Sequence, residues 1–219
     1  WFLTVGLVNP HDIMWYPIDQ PWYREREPDT YELAKSILSS RDWGRVDNFP
    51  PFLHEIDRWF TELPANFDDD LHTKPEVHRS FMTGWMNRYP FMSIDRDDPD
   101  IWLRQLDYYV KLHELSDQSL GLILGAMDDI GGWDDTIVIF TADHGDQCGS
   151  HGLRSKGPWN YQETMRVPLY MVAPGVTTPA TTSHSLTSAV DVARAIAEFA
   201  GVNAADTPTL QGSSMVPLF

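Results

Sequence analysis

The chain opens on a nearly continuous apolar run, Phe2-Leu-Thr-Val-Gly-Leu-Val8, which Asn9-Pro10 stops. A short run without polar alternation predicts a strand buried on both faces, as in a parallel sheet. The pattern then changes across residues 13–100. Trp, Tyr, Pro and Asp are dense there, helix-like pieces such as Thr30–Leu38 and Phe52–Phe60 are short, and turn residues gather at 64–68 and 97–100. Long ordered loops with small helices are predicted. Across 101–130 the apolar positions Leu103, Leu106, Val110, Leu120, Leu124 and Met127 recur at helical spacing, and Gly131-Gly132 marks the stop. Thr136–Phe140 is the strongest strand signal. Val167–Val172 is a second, with Pro168 suited to a strand start rather than a strand centre. A last helix is predicted over Ser188–Ala200, with Val190, Val192, Ile196 and Phe199 on its apolar face and Gly201 past its end. Helix, strand, long loop, strand, helix predicts an α/β fold with a largely parallel sheet flanked by helices.

Composition narrows the function classes. The 219 residues suit one sizeable domain. Thirty-two acidic against sixteen basic residues give a formal charge of −16, which disfavours nucleic acid and anionic membrane as partners. A small anionic substrate stays compatible, because a local cluster of Lys, His and metal reverses the field within one cleft. The single cysteine, Cys148, excludes an internal disulfide. No apolar run reaches membrane-spanning length, so a soluble protein is expected, cytoplasmic or periplasmic/secreted. Both ends of the sequence fall within apolar segments, Trp1-Phe2-Leu3 and Leu218-Phe219, and a fold incomplete at both ends is expected. Nothing in the pattern sets an oligomeric state.

The chemistry concentrates where the strongest strand ends, at Thr141-Ala-Asp143-His144-Gly145-Asp146. In open α/β sheets ligands bind beyond the carboxyl ends of strands. A carboxylate beside an imidazole can hold a divalent cation, and Gly145 lets the backbone approach a ligand closely. An Asp-His pair alone is better read as a turn cap beside a locally satisfied imidazole. Two neighbours shift that balance. Lys156, in Lys156-Gly-Pro-Trp159, can neutralise a sulfuryl or phosphoryl oxygen as charge develops. His11 directly follows the first apolar run and can protonate or hydrogen-bond a leaving oxygen at a second strand end.

These segments together closely resemble the sulfatase family of the alkaline phosphatase superfamily. The resemblance rests on Ile137-Val-Ile-Phe-Thr-Ala-Asp143-His144-Gly145-Asp146, Gly149-Ser-His151-Gly-Leu153, Lys156-Gly-Pro158 and Met165-Arg-Val-Pro168-Leu. It extends to Val5-Gly-Leu-Val-Asn-Pro-His11-Asp, Leu63-Pro-Ala-Asn-Phe-Asp-Asp69, Tyr108 to Asp128, Val190 to Val202 and Gln211-Gly-Ser-Ser214. The resemblance implies an alkaline-phosphatase-like fold and hydrolysis of a small sulfate monoester. It makes Asp143 and His144 metal ligands, brings Lys156 to the sulfate and places His11 near the leaving oxygen. Under it His151 lines the substrate pocket or orders the loop between Gly149 and Lys156. Residues 13–100 would shape the pocket and 101–219 form the metal- and sulfate-binding core. Calcium is the family's typical metal, while a His ligand also suits manganese or zinc.

One departure is prominent. The family's nucleophile is a formylglycine made from Cys or Ser within Cys/Ser-x-Pro-x-Arg, whereas Cys148 is followed by Gly-Ser-His. Cys148 is therefore expected to be a packing residue. The formylglycine and the remaining metal ligands are expected in a preceding part of the enzyme, and these 219 residues alone are expected to be inactive. The alternatives are a phosphodiester or phosphonate monoester hydrolase of the same superfamily and a non-catalytic fragment or degenerate homologue.

Overall fold

A computed structural model describes residues 1–39, 56–88 and 94–218. The chain divides into two compact units. The first comprises residues 1–125 and 144–166, the second 126–143 and 167–219.

Helices dominate the first unit. Pro21–Arg26 (α1) and Pro28–Ser39 (α2) each begin on a proline, whose fixed φ suits a first helical turn. Val77–Arg88 (α3) follows a short 3-10 turn at Leu71–Thr73. The long helix Pro99–Ile130 (α4) starts where Asp98 Oδ1 accepts from the Ile101 amide at 3.4 Å, and it ends before Gly131 at φ 61°. Its last turn, from Ala126, belongs to the second unit. The predicted helices over 30–38 and 101–130 are both present. The helical expectation for 52–60 is not met over 56–60, and 52–55 lie outside the described residues. The reason lies in α4: Asp107 Oδ1 accepts from the amides of Trp59 (2.9 Å) and Phe60 (3.1 Å), which fixes that backbone in an irregular path.

The buried face of α4 supplies Ile101, Trp102, Tyr108 and Leu112, which pack with Ile13, Tyr16, Phe67, Ile94 and Cys148. Trp102 meets Phe67 edge-on at 5.2 Å, and its indole N–H donates to Asp95 O at 3.0 Å, so the polar edge of the ring is satisfied within the core. Arg154 and Asp19 are buried as well. Arg154 donates to Tyr16 O at 2.6 Å. Asp19 accepts from the Tyr108 hydroxyl and from Gln20 Nε2.

Burial pushes the Asp19 carboxyl up to about 6 from 3.8, against the lowering effect of those hydrogen bonds. A carboxyl raised on folding binds its proton more tightly in the folded state. Its contribution to stability is therefore greatest in acid, falls as pH rises from about 4 to 6, and is level above that window. Relative to Asp19→Asn, the wild-type protein should lose about 2 kcal/mol of stability between pH 4 and pH 7. Denaturant unfolding of both proteins across that range measures the difference, and a pH-independent gap would show that Asp19 titrates normally.

The second unit carries the sheet. Val138–Thr141 (β1) pairs with Leu169–Val172 (β2) antiparallel, in the register Val138↔Val172 to Thr141↔Leu169. Both predicted strands exist, and Pro168 stands just before the second. The expected parallel arrangement is corrected for this pair. A parallel neighbour needs a crossover that returns the chain over the sheet, whereas residues 144–166 fold into the first unit and come back antiparallel. The short helix Gln162–Met165 (α5) closes that excursion. Ala189–Phe199 (α6) carries a capping box: the Ser188 side chain accepts from the Asp191 amide, and Asp191 accepts from the Ser188 amide at 2.7 Å. Gly201 follows at φ 73°.

The strand expected over residues 2–8 is also corrected. This run pairs with no strand among the described residues, and Trp1, Phe2, Leu3, Val5 and Val8 are exposed. An apolar run has the propensity for a strand but becomes one only when a ladder partner takes up its amides and carbonyls. No helix among the described residues is long and apolar enough to cross a membrane.

Candidate active site

The segment after β1 is built by a close approach of backbone to backbone. The Gly145 amide donates to Thr164 O at 2.8 Å, and a Cβ on Gly145 would stand 2.0 Å from Glu163 O, so only glycine fits. Asp146 Oδ1 then accepts from the Cys148 amide (2.9 Å), the Cys148 thiol (3.2 Å) and the Ser155 amide (3.1 Å), folding 146–155 into a tight loop. Burial, with help from Asp146, pushes the Cys148 thiol well up, which suits a packing residue rather than a nucleophile. Beyond the loop Trp159 is buried and folds back over Gly157, where a Cβ would lie 2.1 Å from the indole ring. The Lys156-Gly-Pro-Trp159 turn is thereby fixed by its own aromatic residue.

This architecture brings His144 and Lys156 together. Lys156 Nζ lies 2.8 Å from His144 Nε2, and His144 Nδ1 lies 2.9 Å from Gly145 O. An ammonium can only donate, so Nε2 is the acceptor and the ring proton sits on Nδ1, donated to the Gly145 carbonyl. His144 thus presents one lone pair, at Nε2, to a positive charge. Asp143, the residue before it, is exposed and belongs to the second unit.

The lone pair and the adjacent carboxylate have the chemistry of two ligands to a divalent cation. Among the described residues no group of three or more His, Cys, Asp or Glu side chains gathers to hold a metal ion. His11 lies in a 3-10 turn, His11–Trp15, half-exposed, with Nδ1 3.8 Å from Asp12 Oδ1. Asn9 O accepts from Ser116 Oγ at 2.6 Å, which ties that turn to α4.

His151 sits in a second cluster. It has φ 59° and is stacked on Tyr161 at 3.8 Å. Nδ1 is 2.8 Å from Asp69 Oδ2 and Nε2 is 3.2 Å from Asn66 Nδ2. The same Asn66 amide donates to Glu163 Oε1 at 3.1 Å. The hydrogen bond from His151 holds the Asp69 carboxyl below its usual range. Burial acts to raise Glu163, but its own backbone and Asn66 hold it below its usual range. The Leu63–Asp69 loop stands out in the sequence by its resemblance, but Asn66, Asp69 and Glu163 do not stand out within it or beyond it. An amide and two carboxylates spread over about a hundred residues of chain carry no spacing signal of their own.

The chain belongs to the sulfatase family, whose model matches residues 1–202. It is 41% identical over 179 residues to an iduronate 2-sulfatase from Mus musculus, a match covering 82% of this chain and 27% of that protein. Among solved structures it resembles a protein described as a sulfatase from Bacteroides thetaiotaomicron VPI-5482, with TM-score 0.63 and 21% identity, over 96% of this chain and 39% of that one. It also resembles a phosphonate monoester hydrolase from Silicibacter pomeroyi, with TM-score 0.57 and 18% identity, over 95% of this chain and 46% of that one. These structural likenesses support an α/β fold. In four further curated relatives the matched stretch spans only 18% to 35% of the relative's length.

Proposed function

We propose that the protein hydrolyses small sulfate monoesters, with these residues contributing part of the active site. The observation that carries this is the 2.8 Å approach of Lys156 Nζ to His144 Nε2, one residue past Asp143, in a chain of the sulfatase family. Asp143 and His144 would hold a divalent metal, calcium by family habit and manganese or zinc by ligand chemistry. When bound, such a cation supplies positive charge opposite the sulfuryl oxygens. Lys156 faces the transferring group and offsets the charge that builds there. His11, with its half-exposed imidazole, hydrogen-bonds or protonates the leaving oxygen. His151 stands beside the pocket. The formylglycine nucleophile and further ligands belong to the remainder of the full-length enzyme.

A second reading has one specific support, the fold shared with a phosphonate monoester hydrolase. The two are separated by measuring kcat/KM of the full-length enzyme on an aryl sulfate and on the matching aryl phosphonate monoester. Preference for the sulfate by at least about tenfold is expected, and the reverse order would select the phosphonate reading. The isolated 219-residue chain should show no turnover of either ester and only weak calcium binding, since two ligands make a poor hard-cation site. Hydrolysis by that chain would mean that the nucleophile lies within it.

A further inference from the structure

We propose that Asn66, together with Asp69, forms a clasp on His151 and Glu163 that fixes the position of the segment carrying His144 and Lys156. The role in turnover rests on the sulfatase reading above. The positional role does not.

Each link of the clasp lies within the first unit. Asn66 grips two separate points of the site segment. Its carbonyl accepts from the His151 amide at 3.1 Å, and its side-chain amide reaches His151 Nε2 at 3.2 Å and Glu163 Oε1 at 3.1 Å. One amide nitrogen carries two protons, so it can serve both acceptors at once. With Nε2 accepting, the ring proton of His151 lies on Nδ1 and is donated to Asp69 Oδ2, itself 3.2 Å from Lys74 Nζ. Every ring nitrogen of His151 is engaged by the 66–69 loop, and its ring face is covered by Tyr161. That arrangement suits a held residue better than one that meets substrate.

The grip reaches the site through Glu163 and Thr164. Glu163 O is the atom against which Gly145 packs, and Thr164 O takes the Gly145 amide, one residue after His144. Thr164 Oγ1 accepts from Gln147 Nε2 at 2.6 Å and lies 3.4 Å from Lys156 O. Fixing residues 163–164 therefore fixes both ends of the loop whose tips are His144 and Lys156. A displacement of about 1 Å at a reacting group can cost about a hundredfold in rate, so a clasp of this kind governs turnover without touching substrate.

The test is Asn66→Ala in the full-length protein, which removes the side-chain grip and leaves the backbone bond to His151. Two readouts are taken. Hydrogen exchange at the Gly145 and Gln147 amides should quicken by about tenfold or more, with the amides of Ile101 to Leu112 in α4 unchanged. Turnover of an aryl sulfate per folded molecule should fall by about tenfold to a hundredfold with KM within about threefold. The loss should not add to that of Lys156→Ala in the double variant. Should Asn66→Ala fail to fold, His151→Asn takes its place, because asparagine tolerates the left-handed backbone at that position. Unchanged exchange at Gly145 overturns the clasp whatever the kinetics. Quickened exchange with turnover within twofold of wild type overturns its role in the reaction. If the full-length wild-type protein itself turns over no aryl sulfate, the sulfatase reading fails, and exchange alone then decides the clasp.

Discussion

Replacing Lys156 by alanine in the full-length enzyme is expected to lower turnover by about a hundredfold to a thousandfold while leaving metal content unchanged. The structure explains why the two effects separate. Lys156 supplies no lone pair, so it cannot ligate a cation. Its Nζ instead lies 2.8 Å from the nitrogen of His144 that can. An ammonium so close to a ligand atom competes with a cation for the same lone pair. Removing it should leave metal affinity equal or slightly higher. Under the sulfatase reading proposed above, its favourable role is toward the oxygens of the transferring group, where charge grows in the transition state, and an interaction realised there raises kcat rather than affinity. Asp143→Ala should behave oppositely, losing metal and activity together. Metal analysis and steady-state kinetics on both variants make the comparison. Near-normal turnover in the Lys156 variant would return this residue to an ordinary surface cation.

Gly145→Ala should be nearly as damaging, for a steric reason. The added methyl would stand 2.0 Å from Glu163 O, well inside van der Waals contact, and the obstacle is backbone that cannot swing away. The segment must retreat from residues 163–164, which breaks the 2.8 Å bond from the Gly145 amide to Thr164 O. Overpacking of this kind costs about 1–3 kcal/mol of stability. The accompanying shift of His144 should lower activity by about a hundredfold. Gly121→Ala is the matched control. It lies within α4 with nothing near the new methyl, so it should be silent or stabilise by up to about 1 kcal/mol. Thermal unfolding and activity of the two variants settle the comparison. Equal behaviour would mean that the close approach at Gly145 is unimportant.

Local pattern carried much of this structure. Helical periodicity over 101–130 and the stop at Gly131 give α4, and Thr-Ile-Val-Ile-Phe gives β1 shifted toward its carboxyl end, because propensity and residue type are written within each segment. Strand partners are not. Apolar runs at 2–8 and 138–141 look alike in sequence, yet only the second has a ladder neighbour among the described residues. The site shows the same division. Asp143, His144 and Lys156 stand close along the chain after one strand, and the structure brings the last two together. Asn66, Asp69 and Glu163 were invisible as a group because their meeting depends on how the 63–74 loop lies against 150–164, which no spacing rule encodes. Asp19 was likewise unreadable. A buried carboxylate looks like a surface one until Tyr108 and Gln20 are seen to enclose it.

The two-stranded ladder of the second unit bears on how this polypeptide behaves in the laboratory. Phe140, Tyr170 and Val172 are exposed on it, and each strand has its other edge unpaired among the described residues. Open edges with apolar side chains are templates for intermolecular pairing. Expressed as these 219 residues, the protein should self-associate through that ladder and enter inclusion bodies. Lysine at position 170, on the most exposed of the three side chains, is the single change best placed to keep it in solution.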